Sequence, residues 1–258
     1  MLFLTLARKT YRRNLQYRGA HMVHNLASAI FGFIYVSIWV GIGQSQSLGT
    51  YGLNGMISYV AFNQVSLWVV SFLTNGLGIE QSVRTGQIAT DLMRPVHFFY
   101  QLMCREWGQI AYQLLYKSIP IYALYLLVLP LHVPSSMITF LWTAVALALA
   151  AYISICINYL IGAAALWTTE SRWLYWVNYA FSMLLSGFLI PVEWLPGWLR
   201  VLSHASFYPF LHYIPSKLYL GLEDASSLLG SAGWCALLTG LCLFVTSRMR
   251  RKVEVHGG

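Results

Sequence analysis

From Gly19 to Ile79 the chain carries no Asp, Glu, Lys or Arg, and that run ends at a short charged island, Glu80–Pro95, reading EQSVRTGQIATDLMRP. A soluble domain spreads charge over about a quarter of its residues. Here 9% of positions are charged and 58% are hydrophobic. The apolar runs are continuous, and several reach the roughly 20 residues that a helix needs to cross a hydrocarbon core about 30 Å thick. A membrane β-barrel would instead show alternating segments of about 10 residues. The chain is therefore expected to be all-α and polytopic, one membrane domain over 1–258.

Six spans are expected, at 22–43, 56–77, 108–129, 137–160, 173–190 and 227–246. Turn chemistry separates them: GQSQSLGTYGLNG, PLHVPSS, TTESR and the proline-broken stretch after Ile190. Residues 1–21 place Leu4, Ala7, Tyr11 and Leu15 on one helical face and Arg8, Lys9, Arg12, Arg13 and Arg18 elsewhere, the pattern of an amphipathic interface helix. A signal peptide would have a shorter apolar core and a small-residue cleavage site, so the N-terminus is expected to be retained. The segment 191–222 is too charged and too rich in proline to span. Leu195, Trp198, Leu199 and Leu202 share a face there, which suits an amphipathic or re-entrant hairpin at the outer headgroup level.

Thirteen Lys and Arg residues lie at the N-terminus, at the island and its extension to Arg105, at Arg172 and in the tail 247–258. Only Arg200 and Lys217 lie on the alternate loops, and Lys117 falls inside a span. The positive-inside rule then puts both termini and the island (80–95) in the cytoplasm. The net charge of +8 sits in short clusters beside apolar runs, so membrane topology accounts for it and no nucleic-acid partner is expected.

No lysine follows a glycine, so the GxxxxGK[ST] phosphate loop is missing and ATP is not bound by that route. There is no HExxH, no GxSxG, and no Asp or Glu within the expected spans. No catalytic constellation and no metal site is expected in this chain; His21 and His24 share a helical face without a third ligand. Cys104, Cys156, Cys235 and Cys242 lack metal or redox spacing and read as buried apolar side chains.

Within the island, Gln87, Asp91 and Arg94 fall at helical spacing and would present an amide, a carboxylate and a guanidinium to water, with Val83, Ile88 and Leu92 turned inward. Pro95 limits that helix. A solvated connector between two spans is the plainer reading of the same spacing. Polar residues inside spans mark either a pathway or helix packing; the candidates are Asn63 and Gln64, the stripe Asn178, Ser182 and Ser186, and Lys117. Small residues at Ala144 and Ala148, and at Ala232, Ala236 and Gly240, suit close helix contact.

The run VRTGQIATDLMRPVHFFYQ, followed about a hundred residues later by FLIPVEWLPGWLRVLSHASFYPFLHYIPSKLYLG, resembles the permease subunits of type-2 ABC exporters. It is most like the six-span group whose loop reads R-x-G-[EQ]-I-x-x-x-L-x-R-P, matched here by Arg84, Gly86, Gln87, Ile88, Leu92, Arg94 and Pro95. Gln87 stands where many such permeases have Glu. The resemblance implies a subunit of the bacterial inner (cytoplasmic) membrane that pairs with a second permease chain, identical or different. It also implies two copies of a separate ATPase that bind ATP and Mg, docked on a coupling helix formed by 80–95, with Thr168–Arg172 as a smaller contact. The second and fifth spans would lie near the pathway. Two rivals come from other classes: a lipid-modifying membrane enzyme using Glu193, His204 and His212, and a non-transporting assembly partner.

Overall fold

A computed structural model describes residues 2–15, 18–134, 136–168 and 170–256, without the side chains of 2, 18–22 and 254–256. Arg18 and His21 of the expected interface and first span therefore lie outside the described side chains, as does Thr169 of the second turn. The described residues are mostly helical, with no strand among them. Four stretches are long and apolar enough to cross a membrane: Val23–Ser45, Gly49–Arg84, Met137–Thr168 and Ala225–Val253. The chain is a polytopic helical membrane protein.

The helices, in chain order, are α1 (Leu2–Asn14), α2 (Arg18–Ser45), α3 (Gly52–Val70), α4 (Ile79–Arg84), α5 (Gln87–Leu92), α6 (Phe98–Gln113), α7 (Ile119–Val128), α8 (Met137–Thr168), α9 (Arg172–Leu185), α10 (Gly197–His204), α11 (Tyr213–Tyr219) and α12 (Leu228–His256). The main core forms where α8 meets α12, the end of α3 and the island, around Val70, Leu73, Phe99, Ile153, Cys156 and Tyr159. Tyr152 and Tyr159 on α8 hydrogen-bond Thr239 and Thr246 on α12. A second core at the end remote from the island gathers Trp39, Tyr51, Met56, Tyr59, Val192 and Tyr213.

Several expected boundaries shift for physical reasons. The second span was expected to run helically to 77, but α3 stops at Val70 and the chain passes through irregular backbone and a 3-10 turn, Asn75–Gly78. The expected span 108–129 is entered by a longer helix from Phe98 and broken by a π-helical turn at Leu114–Ser118. The expected span 173–190 is helical only as far as Leu185, and its 14 residues cover about 21 Å at 1.5 Å per residue. Gly187 explains the stop. Its φ of +77° is left-handed, and a Cβ there would stand 2.7 Å from Tyr213 Cβ. Finally, α12 continues unbroken through the basic tail.

The small-residue repeats do not carry the helix contacts assigned to them. Ala144, Ala148, Ala232, Ala236 and Gly240 are all exposed, and the α8–α12 seam within the chain is built instead from Ala150, Ile153, Cys156, Leu238 and Cys242. Spacing identifies a stripe but not the neighbour it faces.

Candidate functional site

The island is two short helices rather than one. Gly86, at φ +72°, separates α4 from α5. Ile88 and Leu92 are buried in the main core, Val83 packs against it, and Arg84, Gly86, Gln87, Arg94 and Pro95 stay exposed. Asp91 departs from expectation. It is buried, 7% exposed, because its carboxylate turns back to Arg94 Nη2 at 3.0 Å and to the Ser82 hydroxyl at 3.4 Å. An unpaired carboxylate could not lie against that apolar floor. Gln87, Met93 and Arg94 therefore make up the outward face, and Met93 is 77% exposed.

Glu80 fixes the island to the rest of the chain. Its Oε2 accepts from the Ser171 backbone N–H at 3.0 Å and from the Ser171 hydroxyl at 2.9 Å. Its Oε1 lies 2.9 Å from Arg84 Nη2, which also reaches Glu170 at 3.8 Å. Glu80 stands past the apolar run, which ends at Ile79. The two Ser171 hydrogen bonds and Arg84 offset the cost of holding a carboxylate in this partly buried position.

The backbone just before the island reinforces that tie. Gly76 and Leu77 both adopt left-handed conformations, at φ +53° and +51°. A leucine there is held against its own preference, and it is held by burial in the core. Gly76 meets Gly162 of α8 backbone to backbone, so a Cβ on Gly162 would come 2.0 Å from the Gly76 carbonyl oxygen. The island thus hangs from two points on the α8–α9 corner, one through side chains and one through bare backbone.

Between the island, α1 and α6 lies a cavity of about 730 Å³, lined by Lys9, Arg12, Arg13, Asp91, Arg94, Arg105 and Glu106 over an apolar floor. Ala7 of α1 packs directly on Gly108 of α6, where a Cβ would stand 2.2 Å from the Ala7 carbonyl oxygen. Asn14 donates to Gln109, which closes the same seam. Glu106 is buried and accepts the Thr74 backbone N–H at 3.2 Å. Burial raises its carboxyl above the ordinary value, against the pull of Thr74, Arg13 and Arg105.

Several polar residues of the spans have definite partners, while the Ser186 hydroxyl and the Asn158 amide oxygen are buried without one among the described residues. Irregular backbone at membrane depth persists only where protein satisfies its N–H and C=O groups. The segment from Ser186 to Leu220, non-helical except for α10, α11 and two short 3-10 turns, folds against the bundle and finds such partners there. Asn63 donates to the carbonyls of Gly187 and Phe188 at 3.2 and 3.1 Å and accepts from the Ser216 hydroxyl at 2.6 Å. The Tyr59 hydroxyl donates to the Gly187 carbonyl as well. His212 is fully buried, its ring nitrogens 3.0 and 3.1 Å from the Ser66 and Ser71 hydroxyls. The polar face of α3 is thus occupied in holding the hairpin.

Gln64 joins α3 to α2 by donating to the Ser28 carbonyl and hydroxyl oxygens, both at 3.1 Å. Lys117 sits in the π-helical turn, 6% exposed, with Nζ 3.6 Å from the centre of the Trp68 ring, whose N–H donates to Ser28. Asn178 Oδ1 accepts from the Tyr208 hydroxyl at 3.2 Å, the Ser182 hydroxyl is buried on the same stripe, and Ser186 carries the carbonyl that accepts the Tyr213 N–H at 2.9 Å. Asn178 and Ser182 border a small polar pocket of about 30 Å³ with Ser71, Ser154 and Asn158, room for about one water. None of the six pathway candidates lines the large cavity.

Glu193, His204 and His212 are not gathered into one constellation. Glu193 accepts from the Tyr51 hydroxyl at 2.7 Å, His212 is enclosed between serines, and His204 is exposed at the end of α10. The residues that periodicity did not single out are Glu80, Ser171, Gly76 and Gly162. The available signal was positional: Glu80 is the first charge after the long neutral run. The sequence model of a family described as "ABC-2 family transporter protein" matches residues 26–255, and no curated protein matches the chain.

Proposed function

The chain belongs to the ABC-2 transporter family, and from that premise we propose that it is the membrane-spanning subunit of an ATP-driven exporter. It crosses the membrane six times, with both termini and the island in the cytoplasm of a bacterial cell. Its partners are a dimer of cytoplasmic ATPases, which bind ATP and Mg, and a second permease chain across which the pathway forms. The island is the coupling element, with Arg84, Gly86, Gln87, Ile88, Asp91, Leu92, Arg94 and Pro95 as its working residues. Their roles divide by burial. Ile88, Asp91 and Leu92 seat the element, Gly86 sets its bend, and Gln87 and Arg94 meet the ATPase beside Met93.

One observation supports this reading above the others: the element exposes an apolar side chain, Met93, yet is fixed to the α8–α9 corner by Glu80 and by the Gly76–Gly162 backbone contact. An outward face that joins Met93 to Gln87 and Arg94 on a fixed mount suits a surface that a partner pushes. ATP-driven closure of the ATPases would displace the island, and the displacement would pass to α3 through Gly76 and to α8 and α9 through Ser171. Since Asn63, Ser66 and Ser71 tie α3 to the hairpin, movement of α3 would carry to the far side. Lys117 and the Asn178–Ser186 stripe belong to this transmission and packing, and cargo passes along the surface shared with the second permease.

The test is a double substitution on the outward face, Gln87→Lys with Met93→Glu, both exposed and neither making a side-chain hydrogen bond or ion pair among the described residues. The ATPase should no longer co-purify with the variant, while the chain itself keeps its monodisperse elution. Undiminished ATPase recovery would remove the docking role from α5.

A further inference from the structure

The cavity between α1, α5 and α6 is chemically unbalanced. Five cations border it, Lys9, Arg12, Arg13, Arg94 and Arg105, against two carboxylates. Both acids are already engaged: Asp91 holds Arg94 and Ser82, and Glu106 accepts the Thr74 N–H deep in the wall. Gln101 Oε1, in the amide orientation that its two neighbours favour, accepts from Arg105 Nη2 at 2.8 Å and Arg94 Nη1 at 3.3 Å, which would hold both guanidinium groups at one point. Among the described residues, Lys9, Arg12, Arg13 and Arg105 have no carboxylate within ion-pair distance. Like charges gathered around one hollow repel each other, and low-dielectric walls focus their field into it. Such an arrangement is stable when an anion with several acceptor oxygens fills it, and planar guanidinium groups match phosphate in particular.

The floor adds a second requirement. Leu6, Leu77, Ile79, Phe98 and Leu102 are apolar and border the same hollow. Leu77, Ile79, Phe98 and Leu102 are nearly covered, so the apolar surface open to a ligand is Leu6 with the aliphatic stems of the surrounding basic side chains. A small inorganic anion would leave it wet, whereas an amphiphile would cover it. We propose that this cavity binds a phosphate group carried by an anionic phospholipid, with the phosphate between Arg12, Arg13 and Arg105 and the glycerol and upper acyl carbons against Leu6 and those stems. The bound lipid bridges α1 to the island, because Arg94 and Asp91 border the same space. Nothing in this depends on which cargo the protein moves, or on the island being the ATPase contact.

The experiment is native mass spectrometry of the full-length chain, with any co-purifying subunits, titrated with phosphatidylglycerol and separately with phosphatidylcholine. The wild type should retain phosphatidylglycerol in preference, and Arg12→Gln with Arg13→Gln should weaken it roughly tenfold or more, as expected for two lost basic contacts. The control Arg200→Gln, in the hairpin beside the second core and outside the cavity lining, should leave it unchanged. If the double variant fails to fold, Arg12→Lys with Arg13→Lys keeps the charge and should retain the lipid while losing part of its affinity. A second arm adds inorganic phosphate. Failure to displace the lipid at millimolar phosphate assigns the site to lipid; displacement governed by the same arginines keeps the phosphate site and makes a soluble phosphate its occupant. Equal retention of both lipids, insensitive to Arg12 and Arg13, together with no effect of phosphate, would overturn the proposal.

Discussion

Glu80 and Ser171, 91 positions apart in the chain, meet through two hydrogen bonds to one carboxylate oxygen, from the serine N–H at 3.0 Å and its hydroxyl at 2.9 Å. This contact joins the end of the second apolar run to the turn between α8 and α9. A movement applied to the island cannot stay local while it holds.

Glu80→Ala should therefore uncouple rather than unfold. Charge-assisted hydrogen bonds contribute about 1.5–3 kcal/mol each where they are sheltered, and the Glu80 side chain is 16% exposed. The expected outcome is ATPase that still co-purifies, with hydrolysis that no longer responds to transport. Glu80→Gln, which keeps an acceptor oxygen, should fall between. Comparing hydrolysis with and without the membrane subunit in proteoliposomes decides it.

The Gly162→Ala chain should be damaged out of proportion to one methyl group. Its Cβ would stand 2.0 Å from the Gly76 carbonyl oxygen, backbone that has no rotamer to give. Overpacking of this kind costs about 1–3 kcal/mol. A thermal melt in detergent should show a clear drop, whereas Gly240→Ala, with open space around it, should leave the melt unchanged.

Replacing Asn63 with Leu removes the donor to both the Gly187 and Phe188 carbonyls and strands the Ser216 hydroxyl. Unsatisfied buried groups cost about 1–3 kcal/mol apiece. Thermal stability should fall and trypsin should cut the 186–220 hairpin faster. A variant of wild-type stability that transports a different range of substrates would instead make Asn63 a cargo contact.

At Lys117 the expected sign is opposite. The ammonium lies buried over Trp68 with no carboxylate paired to it among the described residues. A charge kept at depth by an aromatic face gains about 2 kcal/mol at most from that contact, less than its desolvation costs. Lys117→Met should match or exceed wild-type stability and leave transport unchanged. Lost transport with an intact melt would assign the ammonium a direct part.

The helical, membrane-crossing character was legible because hydrophobic runs and basic clusters are one-dimensional signals, and the island stood out as charge after long neutrality. The irregular stretch after Leu185 was not legible: SGFLIPV continues the apolar run, and only the packing of Gly187 against Tyr59 and Tyr213 reveals the stop. Asp91 looked outward because spacing defines a face without saying which way it points. The partners of Asn63 and Gln64 were not legible either, since the hairpin carbonyls that Asn63 meets lie more than a hundred residues away and the Ser28 that Gln64 meets is on another helix. Glu80–Ser171 has no periodic signature at all.

The most direct test of the account is a single cysteine at Gln87, in a chain whose native cysteines are replaced, treated with a membrane-impermeant maleimide and then with a short bifunctional crosslinker. Labelling should occur only when the cytoplasmic face is opened, and the crosslinked species should contain the ATPase. Labelling from outside intact cells, or crosslinks that never include the ATPase, would contradict the assignment of Glu80–Pro95 as the coupling element.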